Sequence, residues 1–150
     1  MTRDVLIRLS GLQSMEDDEG VVEVITAGDY FWKNNKHYLI YDEVMEGTDG
    51  TIRNTMKLTP EKLEIKKSGP VSANMVFELD KKTQTHYVTP MGELLVEMTT
   101  SRIGFEEDDD HLKVEVEYAL DINYDHVSDC RIVLDITSKD CAKLDLGNAQ

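Results

Sequence analysis

Glu43 is a carboxylate set in a bulky apolar row. Leu39, Tyr41, Glu43 and Met45 share one parity, while Tyr38, Ile40, Asp42 and Val44 share the other. If the first row faces a protein interior, the carboxyl must find donors or take up a proton, and either outcome makes it a candidate for binding or proton chemistry. Both rows mix apolar and polar groups, so parity alone leaves the choice open; the bulk of Leu39, Tyr41 and Met45 favours the first row. The hydroxyls of Tyr41, Tyr87, Tyr118 and Thr100 are candidates to stand beside Glu43. Arg102 is in phase with Leu94, Val96, Met98 and Thr100. An inward guanidinium there would suit an interior carboxylate or a carboxylate ligand, because its fork bonds both oxygens. The plainer alternatives are a hydrated Glu43 at a rim and an Arg102 that snorkels to water.

Metal and catalytic chemistry find less support. His37, His86, His111 and His126 are far apart, and Cys130 and Cys141 lack a Cys-x-x-Cys spacing. The run Glu106-Glu-Asp-Asp-Asp110 lacks the alternating ligands and central glycine of a calcium loop, and reads as a solvated hairpin tip. No nucleophile elbow, phosphate loop or dinucleotide fingerprint appears, and serines in turns have no base beside them. No catalytic residue, metal or cofactor is therefore expected. Both cysteines read as free thiols, Cys130 within a strand pattern and Cys141 in the tail. Tyr30, Phe31 and Trp32 are consecutive, so at least one must lie outside or at a rim, where it could meet a ligand or partner.

The elements that must position these groups are strands. From Leu112 to Tyr124, Leu112, Val114, Val116, Tyr118, Leu120, Ile122 and Tyr124 alternate with Lys113, Glu115, Glu117, Ala119, Asp121 and Asn123. A period of two sustained that long predicts an antiparallel strand with one dry face, well beyond the roughly 5–6 residues usual in open sheets. Further strands are predicted from Val5 to Leu9, from Val22 to Lys33 with a bulge or bend at Gly28, from His37 to Met45 and from Thr51 to Thr59. Others run from Lys62 to Lys66, Val71 to Leu79, Thr83 to Thr89, Glu93 to Glu106 and Val127 to Thr137. Asn34-Asn35-Lys36 reads as a tight hairpin, Met15 to Gly20 as a loop, and Lys67 to Pro70 as a turn. About ten strands joined by short turns favour an all-β, antiparallel up-and-down meander. Closure into a barrel of about 8–10 strands removes the exposed edges, a flattened sandwich being the alternative. One domain is expected over residues 1–137, with residues 138–150 a flexible tail.

The chain has 150 residues, 40% of them hydrophobic and 31% charged, with a formal net charge of −14. That charge disfavours nucleic acid and an anionic membrane surface, both of which select clustered Lys and Arg. No apolar run approaches the ~20 residues of a membrane helix, and the N-terminus shows no signal region, so a cytoplasmic protein is expected.

The order of these signals resembles the YwiB-like family of small bacterial proteins of unknown function, grouped with the lipocalin-like or calycin barrels. The resemblance is carried by Thr26-Ala-Gly28-Asp-Tyr30, Asn35-Lys36-His-Tyr38-Leu-Ile-Tyr41-Asp-Glu43 and Thr51-Ile52. It continues through Ser68-Gly69, Met75-Val-Phe77, Tyr87, Gly92-Glu93-Leu94 and Tyr118-Ala-Leu120, covering the chain to about Ile136. It implies a barrel and leaves function open. The leading expectation is a non-enzymatic module holding a small apolar or carboxylate ligand in its interior, on fold analogy. An interaction module offering its acidic surface to a basic protein partner is the alternative. An enzyme of unrecognised chemistry comes third.

Overall fold

The computed structural model describes residues 3–11, 23–44 and 50–139. They form ten strands: β1 (Asp4–Ser10), β2 (Glu23–Lys33), β3 (Lys36–Val44), β4 (Thr51–Thr59), β5 (Lys62–Ser68), β6 (Ala73–Glu78), β7 (Lys82–Thr89), β8 (Gly92–Glu107), β9 (His111–Ile122) and β10 (Asp125–Ser138). Their order in the sheet is β6-β5-β4-β3-β2-β1-β10-β9-β8-β7, so every strand lies beside its sequence neighbours. The first and last strands are sealed together from Val5↔Ser138 to Ser10↔Val133. The two free edges are therefore β6 and β7, in the middle of the chain. One backbone bridge, Ser72↔Val88, joins them, and elsewhere hydroxyls stand in for the ladder. Thr83 Oγ1 donates to the Val76 carbonyl, and Thr85 Oγ1 accepts from the Asn74 amide at 3.3 Å. The sheet is a nearly closed, all-antiparallel barrel, as the strand pattern predicts.

The alternation maps onto the wall directly. Leu112, Val114, Val116, Tyr118 and Leu120 of β9 are buried, as are Ile132, Leu134 and Ile136 of β10 and Ala73, Met75 and Phe77 of β6. Together with Leu39, Met56, Leu58, Leu63, Ile65 and Met98 they form one contiguous core. Turn chemistry sets the hairpins. Asn34 and Asn35 have φ of 53° and 61°, the left-handed pair that a two-residue turn needs. β2 pairs with β1 as far as Asp29 and with β3 only from Asp29 onward. At that divergence a Cβ on Gly28 would lie 2.5 Å from Ile7 Cδ1 and 2.9 Å from the Ile40 carbonyl, so the close approach of these neighbours requires glycine.

Most strand ends differ from the sequence expectation by a residue or two, and four residues change place as a result. Tyr124 and Asn123 have positive φ and make the β9–β10 turn, which leaves Tyr124 exposed. Leu79 also ends outside the core. Ser138, assigned to the tail, belongs to β10 and is buried. Lys67, assigned to a turn, continues β5 and points inward with Leu63 and Ile65. The Met15–Gly20 loop, Met45, Cys141 and residues 140–150 lie outside the described residues. No helix among the described residues is long and apolar enough to cross a membrane.

Candidate functional site

The antiparallel turns alternate between two ends of the barrel. At the upper end, where β3 and β5 finish and β4 begins, three inward residues stand side by side: Tyr41, Asn54 and Lys67. Asn54 is fully buried, and the Lys67 side chain is only 6% exposed. A buried ammonium loses several kcal/mol of hydration unless it is paired and hydrogen-bonded. Here Lys67 Nζ donates to Asn54 Oδ1 at 2.8 Å and to Glu43 Oε1 at 3.1 Å, while Asn54 Nδ2 donates to the same Glu43 oxygen at 3.1 Å. Glu43 lies two residues beyond Tyr41 on the inward parity, and its side chain is 46% exposed. It is the wet end of a dry charge pair. Glu43 thus keeps the inward parity but sits half-exposed at the mouth, the rim position that was the alternative to a buried carboxylate, and its partners are an amide and a lysine rather than a hydroxyl.

The carboxylate charge reaches two tyrosines. Burial pushes the Tyr41 phenol well above its usual range, and the negative charge of Glu43 pushes it further. Tyr87, half-buried on β7, is raised by the same two causes in the same order. Both rings stay neutral at physiological pH. Tyr41, Glu43 and Tyr87 are therefore the candidate residues that the fold gathers.

Thr100 and Tyr118 form a second pair, directly opposite each other on β8 and β9. Tyr118 meets the Phe77 ring edge-on at 4.8 Å. Its phenol is raised by burial first and by the neighbouring Cys130 thiol second. Cys130 is free and faces the Ser128 hydroxyl at 3.1 Å. Thr100 Oγ1 is buried and has no hydrogen-bond partner.

Arg102 corrects the expectation of an inward guanidinium. The β8–β9 register shifts between Thr100 and Arg102, inserting Ser101 as a bulge. Val96, Met98 and Thr100 face inward before it, whereas Ile103 and Phe105 turn to the core after it. Arg102 is thrown to the outer face, where it meets Glu115 at 3.5 Å and Glu117 at 4.0 Å. The interior cation is Lys67 instead. Extending the Leu63, Ile65 alternation by one step would have found it, and Asn54 stood in the open as a polar residue in the row Ile52, Met56 and Leu58.

A second polar constellation, also missed, closes the lower end. His37 is 3% exposed. Its Nδ1 meets the Tyr30 hydroxyl at 2.6 Å and its Nε2 meets Glu107 Oε2 at 3.2 Å, joining β2 and β3 to the far strand β8 across the interior. Trp32 stands edge-on to the imidazole at 4.7 Å, and Phe105 lies 5.5 Å away. Burial lowers the His37 pKa against the opposing pull of Glu107. Of the three consecutive aromatics, Tyr30 is buried, Trp32 is exposed at this rim, and Phe31 carries Arg3 over its ring at 5.1 Å.

Packed side chains fill the space between these two ends. Two depressions lie on the outer wall, about 230 Å³ beside Lys57 and Glu64 and about 280 Å³ beside Asp42 and Arg53. Among the described residues no group of three His, Cys, Asp or Glu side chains is placed to hold a metal ion.

Comparison with known proteins agrees with the architecture. Residues 7–134 match the family described as a domain of unknown function, DUF1934. The chain is 28% identical over 124 residues to the uncharacterized beta-barrel protein YwiB of Bacillus subtilis, covering 81% of this chain and 86% of that protein. The crystal structure of the ywiB protein from Bacillus subtilis superimposes with a TM-score of 0.76 at 21% identity, over 91% of this chain and 92% of that one.

Proposed function

The chain belongs to the DUF1934 family, whose Bacillus subtilis relative is an uncharacterized β-barrel, and from that premise we propose a cytoplasmic, non-enzymatic module that binds a small ligand at the upper mouth of the barrel. One observation carries this reading: a buried lysine and asparagine capped by a half-exposed glutamate. Replacing a buried ion pair by apolar residues of similar volume is often neutral or stabilising. Such a cluster is therefore poorly explained by stability and better explained by something it can hold. Tyr41 and Tyr87, the two phenols that feel the Glu43 charge, are the aromatic groups available to a ligand there. The packed interior limits the ligand to a small body seated near the rim rather than a long chain threaded through the barrel. The free thiol of Cys130 suits a reducing compartment.

Native mass spectrometry of protein purified without denaturation tests the reading. A retained small molecule, released when Glu43, Asn54 and Lys67 are replaced together by Gln, Leu and Met, is the expected result. Retention that is indifferent to the triple replacement would remove the mouth from consideration. A second reading, docking of a basic protein partner, draws on the net charge of −14 and on exposed Val44, Val88, Met91 and Tyr124 at the upper end.

A further inference from the structure

Resting on that reading of the mouth, we propose that Lys67 and Asn54 form a receptor for the carboxylate of a small monocarboxylate ligand, and that Glu43 occupies it in the free protein as an internal stand-in. The geometry is that of a site built around one oxygen. Lys67 Nζ and Asn54 Nδ2 both lie 3.1 Å from Glu43 Oε1, while Lys67 Nζ is locked to Asn54 Oδ1 at 2.8 Å. The two donors come from neighbouring strands in direct register and are buried, so they are pre-positioned before any ligand arrives. Their acceptor is different in kind. Glu43 stands one residue before the end of β3, with nearly half its side chain in water.

Exchange is therefore electrostatically cheap. Glu43 can swing out and be rehydrated while the incoming carboxylate takes over both donors, so the Lys67 ammonium is never left without a counter-ion. The same geometry selects the charge. One buried cation matches one negative charge, whereas a phosphate dianion would carry a second, uncompensated charge into the field of Glu43 and of a chain carrying −14. Tyr41 and Tyr87 favour a short apolar or aromatic body behind the carboxylate. A cationic ligand would instead seek the free oxygen of Glu43, which makes it the natural opposite outcome.

The test titrates hexanoate, hexanol and hexylammonium into the intact chain and follows the Asn54 side-chain amide and the Lys67 methylene resonances by NMR. Hexanoate should shift both saturably. Glu43→Gln replaces the charged competitor by a neutral acceptor and removes a like charge, so hexanoate should bind about tenfold more tightly. Lys67→Met should abolish the effect, and Lys67→Arg should recover part of it. Glu43→Gln keeps a neutral acceptor oxygen for Lys67 Nζ and Asn54 Nδ2 at a half-exposed position, so it keeps the test decisive even if Lys67→Met folds poorly. Unchanged hexanoate affinity in Glu43→Gln, or a preference for hexylammonium, overturns the carboxylate receptor. Hexanol binding at the same resonances as tightly as hexanoate also overturns it while leaving a ligand site at the mouth. If none of the three perturbs these resonances, the receptor and the mouth site fall together.

Discussion

Thr100 carries a hydroxyl in the barrel interior with no partner, in a residue that is 1% exposed. An unmade hydrogen bond at a buried hydroxyl costs about 1–3 kcal/mol, and valine keeps the β-branched shape without the polar atom. Thr100→Val should therefore stabilise the fold by about 1 kcal/mol in urea denaturation. A loss of comparable size would mean that the hydroxyl has a partner, such as a trapped water. His37 makes the opposite case, since a neutral ring satisfies every group around it. The Tyr30 hydroxyl can donate to Nδ1 while Nε2–H donates to Glu107. Because burial holds the folded pKa below its ordinary value of about 6.5, the unfolded chain takes the proton first as pH falls. Stability should fall as pH drops through that range and level off once folded His37 is itself protonated. Comparing denaturation midpoints at pH 7.5 and 5.5 checks this: His37→Gln should lose less stability across the interval than the parent chain. An equal loss in both proteins would assign the pH dependence to other groups.

Strand alternation is a property of the backbone itself, which is why β9 and β10 could be recognised residue by residue from Leu112 and Ile132 onward. A bulge is different, because one inserted residue reverses every inward assignment after it. Ser101 leaves no mark in the alternation of Leu94, Val96, Met98 and Thr100, so Arg102 looked inward and is not. The pairing of β6 with β7 is another element-level feature that only register reveals. Two threonine hydroxyls and one bridge replace a full ladder there, and this should be the weakest seam of the barrel. Amide exchange should reach Ala73–Glu78 and Lys82–Thr85 before the paired cores of β9 and β10, and Thr83→Val should advance it further. Protection in β6 equal to that in β9 would show the seam to be as firm as the rest of the wall.

For the molecule as a whole, the sequence by itself determined the strand count, the parity of nearly every wall residue and the tendency of the sheet to close. Each of these follows from local geometry: side chains alternate along a strand, turns need residues that tolerate positive φ, and many strands with one dry face must hide their edges. The sequence also carried the acidic net charge of −14. Tertiary structure alone decided that β1 and β10 seal while β6 and β7 meet loosely. It also decided that packed side chains fill the interior, and that Glu43 answers to Asn54 and Lys67 rather than to a hydroxyl or Arg102. Those outcomes depend on which rows of different strands fall opposite one another. Register is a long-range quantity, set by the sum of turn lengths, close approaches at residues such as Gly28 and bulges such as Ser101. A side chain's parity is written in its own neighbourhood, but its partner is written in the register of strands far along the chain.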